Sequence, residues 1–161
     1  MSVAYIALGS NVGDRLAYLR SGKDKLARIG DLIAISPVYD TEPVGMAEGD
    51  CFLNAAISIC TELKPEELLS KYLDIERTNG RLRSYRNAPR TLDIDLLLYD
   101  DLIVNTPRLK LPHPRMHERA FVLAPLADIA PAMLHPTLRK PMQELLDCCP
   151  PQEVTRTNYS L

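Results

Sequence analysis

Two aspartates, Asp93 and Asp95, lie in a predicted strand and are the residues of this sequence best suited to chemistry. Successive side chains of a strand point to opposite faces, so the two carboxylates share one face about 7 Å apart. Carboxylates in such an arrangement repel each other, and a hard cation such as Mg²⁺ removes the repulsion. The pattern indicates a magnesium site, and a solvated sheet edge is the alternative. The positions that alternate with the aspartates are all aliphatic, namely Leu92, Ile94, Leu96 and Leu98.

Four arginines precede the aspartates within a span of ten residues. Guanidinium groups are planar, permanently charged and able to donate two parallel hydrogen bonds to one phosphate. A solvated surface loop is the alternative interpretation of such a run. Together with the aspartates, the arginines predict a site for magnesium and a polyphosphate; they are Arg81, Arg83, Arg86 and Arg90.

A second basic stretch runs from Leu111 to Phe121 and holds two histidines and two arginines. Its His113 stands between two prolines, so it cannot lie inside a helix and is held on a loop. There it could hydrogen-bond a phosphate or a ribose. A surface histidine without a functional role is the alternative, and the residues alone leave both open.

Phe52 and Phe121 are the only phenylalanines of a chain that has no tryptophan. The residue pattern favours core positions for both. However, Phe52 shares its predicted strand face with Asn54, whose amide can read the edge of a heterocycle through one donor and one acceptor. A flat heteroaromatic ligand held between the two rings is therefore the alternative.

Apolar periodicity predicts the elements that must position these side chains. Asp14 is suited to cap a first helix that stops at Gly30. Pro65 is suited to open a second helix that stops at Asn79. The order strand–helix–strand–strand–helix–strand predicts an α+β fold, a ferredoxin-like split βαβ sandwich with a mostly antiparallel sheet and helices on one face. The predicted strands span residues 3–8, 32–39, 52–60 and 93–99.

Prolines interrupt the last third of the chain, which leaves short helices around 118–128 and 142–148 as C-terminal additions to the sandwich. The runs 102–105 and 109–111 are expected to extend the sheet. The tail beyond about residue 151 is expected to be loosely ordered. Residues 1–161 are predicted to form a single domain, because no linker, repeat or low-complexity tract interrupts them.

The overall composition excludes several classes of protein. With 46% hydrophobic and 25% charged residues the sequence is typical of a globular protein, and no apolar run is long enough to span a bilayer. The net charge is −2, yet residues 81–119 hold eight basic against five acidic residues. Such local positive charge suits a small anionic ligand and argues against nucleic acid as a partner. The spacing of the cysteines suits neither disulfides nor a metal site, and the N-terminus lacks a signal-peptide pattern. Both observations predict a cytoplasmic location.

The sequence resembles the 6-hydroxymethyl-7,8-dihydropterin pyrophosphokinases of folate synthesis. The likeness is carried by residues 86–97 (RNAPRTLDIDLL) and 111–123 (LPHPRMHERAFVL), and it runs from Tyr5 to about Pro131. It implies a ferredoxin-like monomer that transfers a diphosphate group from ATP to the pterin hydroxymethyl group and releases AMP. ATP and 6-hydroxymethyl-7,8-dihydropterin would be its partners, and two Mg²⁺ ions its cofactors.

On the phosphate side, the resemblance makes Asp93 and Asp95 the ligands of the two magnesium ions. Asp95 would also ease removal of the hydroxyl proton. Arg81 and Arg90 match a mobile loop of the family and would neutralise charge on the transferring group. The residues that the resemblance assigns to ATP binding are Glu76, Arg83, Arg108, His113 and Arg119.

On the pterin side, the resemblance makes Phe52 and Phe121 the two rings that sandwich the pterin, and Asn54 the amide that reads its edge. Backbone contacts would come from the loop that contains Thr41, Pro43 and Val44.

Two positions depart from the family pattern. Asn87 stands where some members carry a tryptophan that helps to seal the closed loop, and Leu73 replaces a residue that is polar in some relatives on the adenine side.

Two other classes of protein match parts of the pattern. A magnesium nucleotidyltransferase could combine a Gly-Ser turn with an Asp-x-Asp strand, but Gly9 lies over eighty residues before Asp93. Such an enzyme would release pyrophosphate, whereas a pyrophosphokinase releases AMP. A ferredoxin-like binding module would show no turnover at all, and an RNA-binding one would need exposed aromatic residues and a basic surface.

Overall fold

The computed structural model describes residues 1–41, 51–79 and 91–161 of the chain. Their helices are α1 (Arg15–Leu26), α2 (Pro65–Thr78), α3 (Ala120–Ile129) and α4 (Met142–Asp147). Their strands are β1 (Ser2–Ser10), β2 (Asp31–Ile35), β3 (Tyr39–Thr41), β4 (Phe52–Thr61), β5 (Asp93–Tyr99), β6 (Val104–Asn105), β7 (Lys110–Leu111) and β8 (Val154–Arg156).

The main sheet has the strand order β5-β1-β4-β3-β8, and β2 pairs with the far half of β4. All of its pairings are antiparallel. β1 is central because it pairs along its whole length with β4, from Ser2 opposite Thr61 to Ser10 opposite Leu53, and on its other side with β5. This arrangement confirms the predicted ferredoxin-like α+β fold.

Helices cover both faces of the sheet. The first two helices pack on one face, where their buried residues join alternate residues of the strands, among them Ile6, Ile57 and Ile94, in one hydrophobic cluster. α3 and α4 cover the other face and form a second cluster with Ala56, Leu97 and Leu98. The predicted C-terminal helical additions therefore close the face that the split βαβ unit leaves open.

A β-bulge at Leu97 changes the side-chain alternation within β5. The pairing with β1 steps from Leu96, opposite Ile6, to Leu98, opposite Tyr5, so Leu97 is the extra residue. As a result Leu97 and Leu98 both join the cluster under α3 and α4. Leu98 was expected on the same face as Leu96, and the bulge is the reason that it is not.

The helix starts agree with the sequence. The Asp14 carboxylate accepts a hydrogen bond from the Ala17 backbone N–H at 3.1 Å, as an N-cap does. Pro65 opens α2, and the Glu67 carboxylate accepts from the Lys64 N–H at 3.1 Å.

Three expectations about the elements are wrong. The strand predicted at 32–39 is divided into β2 and β3, because Pro37 has no N–H to donate to the ladder. β6 and β7 do not extend the main sheet but form a two-stranded sheet of their own. The tail beyond residue 151 is not loose, because β8 adds to the open edge of β3 and gives its backbone groups hydrogen-bond partners.

The remaining helix predictions shift by a few residues. The helix expected around 118–128 begins at Ala120, after a single 3-10 turn at Met116–Glu118, and the helix expected around 142–148 spans Met142–Asp147. None of the helices in the described ranges combines the length and the apolar character that a membrane crossing requires.

Candidate active site

Strand β5 places Asp93 and Asp95 on the face of the sheet that α3 covers. Ile94, between the two aspartates, and Leu96, after them, point to the other face of the sheet. They are 2% and 3% exposed and belong to the hydrophobic cluster under α1 and α2. Asp93 lies opposite Gly9 of β1, and Asp95 lies opposite Ala7. The two carboxylates are partly buried and share one face, so the predicted alternation of aspartates and aliphatic residues is confirmed.

Side chains of α2 hold the outer edge of β5 at the aspartates. The Glu76 carboxylate, in a residue 3% exposed, accepts a hydrogen bond from the backbone N–H of Ile94 at 3.0 Å. Tyr72 of α2 lies near the same stretch of β5, because the negative charge of Asp95 and the backbone of Leu96 both act on its hydroxyl. Burial, followed by the negative charge of Asp95, raises the pKa of Tyr72. The bond from Glu76 fixes the backbone between Asp93 and Asp95.

The donor set fits magnesium better than a transition metal. In the described ranges no group of three or more His, Cys, Asp or Glu side chains could hold a metal ion. A site of two carboxylates is what Mg²⁺ takes when water and phosphate oxygens complete its coordination. Zinc, by contrast, requires three or four protein ligands.

His113 is held beside this face as a neutral hydrogen-bond donor. Its backbone N–H donates to the carbonyl of the bulged residue Leu97 at 2.9 Å. Its Nδ1 accepts from the Arg115 N–H at 3.3 Å, which leaves the proton of the neutral ring on Nε2. Burial and then the positive charge of Arg119 lower the pKa of His113 to about 4, against an opposing effect of Asp93. The charges of Arg119 and Asp93 therefore both act on this ring.

Gly9 and Asn54 lie on the same sheet face as Asp93, one and two strands away from it. Gly9 of β1 pairs with Asn54 on one side and with Asp93 on the other. Adjacent strands are about 4.8 Å apart, so the backbones of Asn54 and Asp93 are about 10 Å apart. A Cβ atom at Gly9 would lie 3.0 Å from Asn54 Oδ1 and 3.7 Å from Phe52 Cδ1. The missing side chain keeps the space between the amide and the aspartates open.

The Asn54 amide has a fixed orientation. Its Nδ2 donates to the Thr41 hydroxyl at 2.6 Å, and that hydroxyl in turn donates to the Phe52 carbonyl at 3.4 Å. Asn54 and Thr41 are 6% and 1% exposed. A buried amide held in this way is prepared to recognise a ligand edge with the rest of its hydrogen-bonding capacity.

Phe121 lies in the first turn of α3, on the side of the sheet that carries Phe52 and Asn54. It is partly buried and packs against the second hydrophobic cluster. The Arg119 guanidinium lies 5.7 Å from the centroid of its ring, a cation–π distance. Phe52 is also only partly buried. Neither ring is a full core residue, which favours the ligand-binding interpretation over the core interpretation.

For the remaining predicted residues, the structure gives either a location alone or no description. Arg108 is exposed in the turn between β6 and β7. Leu73 packs at the edge of the first hydrophobic cluster. Several predicted residues lie outside the described ranges, namely Pro43, Val44, Arg81, Arg83, Asn87 and Arg90.

Gly9 and Tyr72 lie beside the two aspartates, and the sequence predicted neither of them at the candidate site. A glycine near the end of a strand is a recognised signal for close approach of another group, and Gly9 carried that signal. Tyr72 gave no signal beyond helical periodicity, because its proximity to Asp95 depends on how α2 packs against β5.

The family model for 7,8-dihydro-6-hydroxymethylpterin-pyrophosphokinase (HPPK) matches residues 5–131. A 2-amino-4-hydroxy-6-hydroxymethyldihydropteridine pyrophosphokinase of Aquifex aeolicus is 40% identical over 144 residues, which cover 89% of this chain and 90% of the relative. An enzyme of the same name from Bacillus subtilis is 48% identical over 130 residues, 80% of this chain and 78% of its own length.

The solved structures add a likeness in fold. An HPPK-DHPS protein of Plasmodium falciparum superposes with a TM-score of 0.76 at 16% identity over 91% of this chain. The chain spans 44% of the length of that protein.

Proposed function

Because the chain belongs to the 7,8-dihydro-6-hydroxymethylpterin-pyrophosphokinase family, we infer that it transfers a diphosphate group from ATP to 6-hydroxymethyl-7,8-dihydropterin in folate synthesis. The pterin hydroxyl oxygen attacks the β-phosphorus, the bond from that phosphorus to the bridging oxygen of the α-phosphate breaks, and AMP leaves. One observation supports this most: Asn54, Gly9 and Asp93 lie opposite one another on three adjacent strands. This pairing brings an amide that could recognise the edge of a heterocycle to the same face as the two carboxylates.

Asp93 and Asp95 are proposed to hold two Mg²⁺ ions together with the phosphates of ATP. Bound magnesium would neutralise the phosphate oxygens and bring the β-phosphorus close to the pterin hydroxyl. The Ile94 N–H bond to Glu76 keeps the backbone between the two carboxylates from shifting. Asp95 also eases removal of the hydroxyl proton as the new bond to phosphorus forms.

His113 and Arg119 are proposed to bind the triphosphate beside the aspartates. A neutral His113 donates through Nε2 without adding charge, whereas Arg119 adds a permanent positive charge. Arg81 and Arg90 are proposed to neutralise the charge that develops on the transferring group. Further contacts to the nucleotide are proposed for Glu76, Arg83 and Arg108.

The pterin is proposed to lie over Gly9, between the rings of Phe52 and Phe121. Asn54 reads its edge, because Thr41 already fixes the orientation of that amide. The backbone of the segment that follows Thr41, with Pro43 and Val44, supplies additional contacts. Stacking of a flat heterocycle between two aromatic rings adds to the hydrophobic contribution of its burial.

We expect the protein to work as a cytoplasmic monomer, with ATP and the reduced pterin as its partners. The net charge of −2 argues against nucleic acid as a third partner.

Incubation with ATP, Mg²⁺ and 6-hydroxymethyl-7,8-dihydropterin tests the activity through the nucleotide product. AMP is the expected product, whereas release of pyrophosphate would identify a nucleotidyltransferase and no turnover a binding module. Asp95→Ala should lower turnover on the order of a hundredfold or more, because the charge on the phosphates loses its main counter-ion site. Asp101→Ala, at an exposed aspartate in the turn after β5, is the matched control and should keep wild-type activity.

A further inference from the structure

The C-terminal segment from Gln152 to Arg156 lies beyond the residues that the family model matches, yet it contacts both sides of the proposed pterin site. Gln152 reaches the Phe121 side. The strand that follows, β8, reaches the side of Thr41 and Asn54 through its pairing with β3.

Gln152 provides the hydrogen-bond acceptor that the first turn of α3 lacks. The first N–H groups of a helix have no partner within the helix. Arg119, at the N-cap position of α3, makes no side-chain bond to them. Instead the Phe121 backbone N–H donates to Gln152 Oε1 at 3.3 Å, across 31 positions of the chain. A side chain distant in sequence thus fixes the residue whose ring is proposed to cover the pterin.

β8 fixes the opposite side of the site. Val154 pairs with Thr41, and Arg156 pairs with Tyr39, which is itself opposite Asn54. The Arg156 guanidinium donates to Asp128 of α3 at 2.6 Å and to the Tyr39 hydroxyl at 3.3 Å. The Tyr39 hydroxyl also donates to Asp128. These bonds join β3, α3 and β8, so the segment holds the strand and the helix of the site at a fixed separation.

We propose that Gln152 is a positioning residue for the pterin: its side-chain oxygen fixes the start of α3 and, with β8 on the far side, sets the gap between Phe121 and the Asn54 amide. This inference rests on the proposed function, because it concerns the same binding site. Of the proposed ATP contacts Arg119 lies at the start of α3, whereas Asp93 and His113 lie on β5 and after β7, so the effect should fall mainly on the pterin.

Three variants test the role of the acceptor. Gln152→Met keeps the length of the side chain but removes the oxygen, and Gln152→Glu keeps an oxygen whose negative charge suits a helix N-terminus. Gln143→Met, at an exposed glutamine of α4 whose side chain donates to Asp147, is the matched control. For each, the KM values for the pterin and for ATP, kcat, and the midpoint of urea unfolding are measured.

Gln152→Met should raise the KM for the pterin about fivefold, the equilibrium effect of one net hydrogen bond, and change the KM for ATP less than about twofold. Gln152→Glu should restore the pterin KM, and Gln143→Met should match the wild type. With an active wild type, any of three results would overturn the inference. These are an unchanged pterin KM in Gln152→Met, a parallel rise of both KM values in that variant, and no recovery of the pterin KM in Gln152→Glu. A wild-type protein that forms no AMP would refute the proposed function itself, and the inference with it.

Discussion

Gly9→Ala is a one-methyl change at the centre of the proposed pterin site. The new Cβ would lie 3.0 Å from Asn54 Oδ1, closer than carbon and oxygen normally approach without a bond. The Asn54 amide has little room to withdraw, because its Nδ2 is bonded to the Thr41 hydroxyl at 2.6 Å and the residue is 6% exposed. Either the amide rotates and loses that bond, or β1 and β4 separate locally.

The size of the effect follows from these two outcomes. Loss of one net hydrogen bond costs about 1 kcal/mol, which is about fivefold in binding. Overpacking of a filled site costs about 1–3 kcal/mol. The methyl group also occupies the space over which the pterin is proposed to lie. We therefore expect Gly9→Ala to weaken pterin binding about 5- to 100-fold, with ATP binding in the absence of pterin little changed because that site lies toward Asp93.

Titration of pterin and of ATP, each by calorimetry with Mg²⁺ present, separates the two effects. Gly22→Ala is the matched control, because its Cβ, inside α1, would meet only the ends of two leucine side chains, Leu92 at 3.2 Å and Leu8 at 3.5 Å. It should bind both ligands as the wild type does. If Gly9→Ala binds the pterin within twofold of the wild type, the pterin does not lie over Gly9 and the proposed site is wrong.

Two further predictions concern the residues around β5. Glu76→Leu should lower the free energy of unfolding by about 1–3 kcal/mol and raise the Mg²⁺ concentration for half-maximal activity, because the buried Ile94 N–H loses its acceptor. Glu76→Gln keeps an acceptor oxygen and should be close to the wild type in urea unfolding; equal stability of the leucine variant would contradict this role. The folded-state pKa of His113, about 4, lies below the ordinary 6.5, so the unfolded chain binds more protons between these values. The contribution of His113 to stability is complete above about pH 6.5 and is lost toward pH 4, by an amount on the order of 2 kcal/mol for this partly exposed ring. His113→Gln should flatten that part of the stability–pH profile of the metal-free protein, and identical profiles for the two proteins would contradict the assignment.

The order of the elements could be predicted because each leaves a local pattern. In β5, polar and apolar residues alternate with a two-residue period that is visible in the sequence. The two carboxylates share a face, as this period predicts. The starts of α1 and α2 were predictable from Asp14 and Pro65, because capping depends on residues within one turn.

Features that depend on distant pairing could not be predicted in this way. Nothing local in residues 154–156 indicates a strand, because that strand exists only where β3 offers an open edge. The same holds for Gln152, whose partner is 31 positions away. Gly9 was expected to follow the end of a strand at Leu8, whereas pairing with Asn54 and Asp93 extends β1 through Ser10. The roles of Phe52 and Phe121 were left open by their pattern, and the resemblance was needed to favour ligand binding.

The position of β5 at the border of the sheet has a consequence for the survival of the protein in the cell. A border strand with free N–H groups can recruit a strand from another chain, and the aliphatic run in and beside β5 is of the kind that assembles into cross-β aggregates. Helix α2 covers this border, and its Glu76 accepts a hydrogen bond from the Ile94 N–H. Mutations that loosen α2 would therefore expose an unpaired, aggregation-prone edge strand. They would lower the amount of folded enzyme through aggregation and degradation before they lowered the turnover rate of the folded molecules.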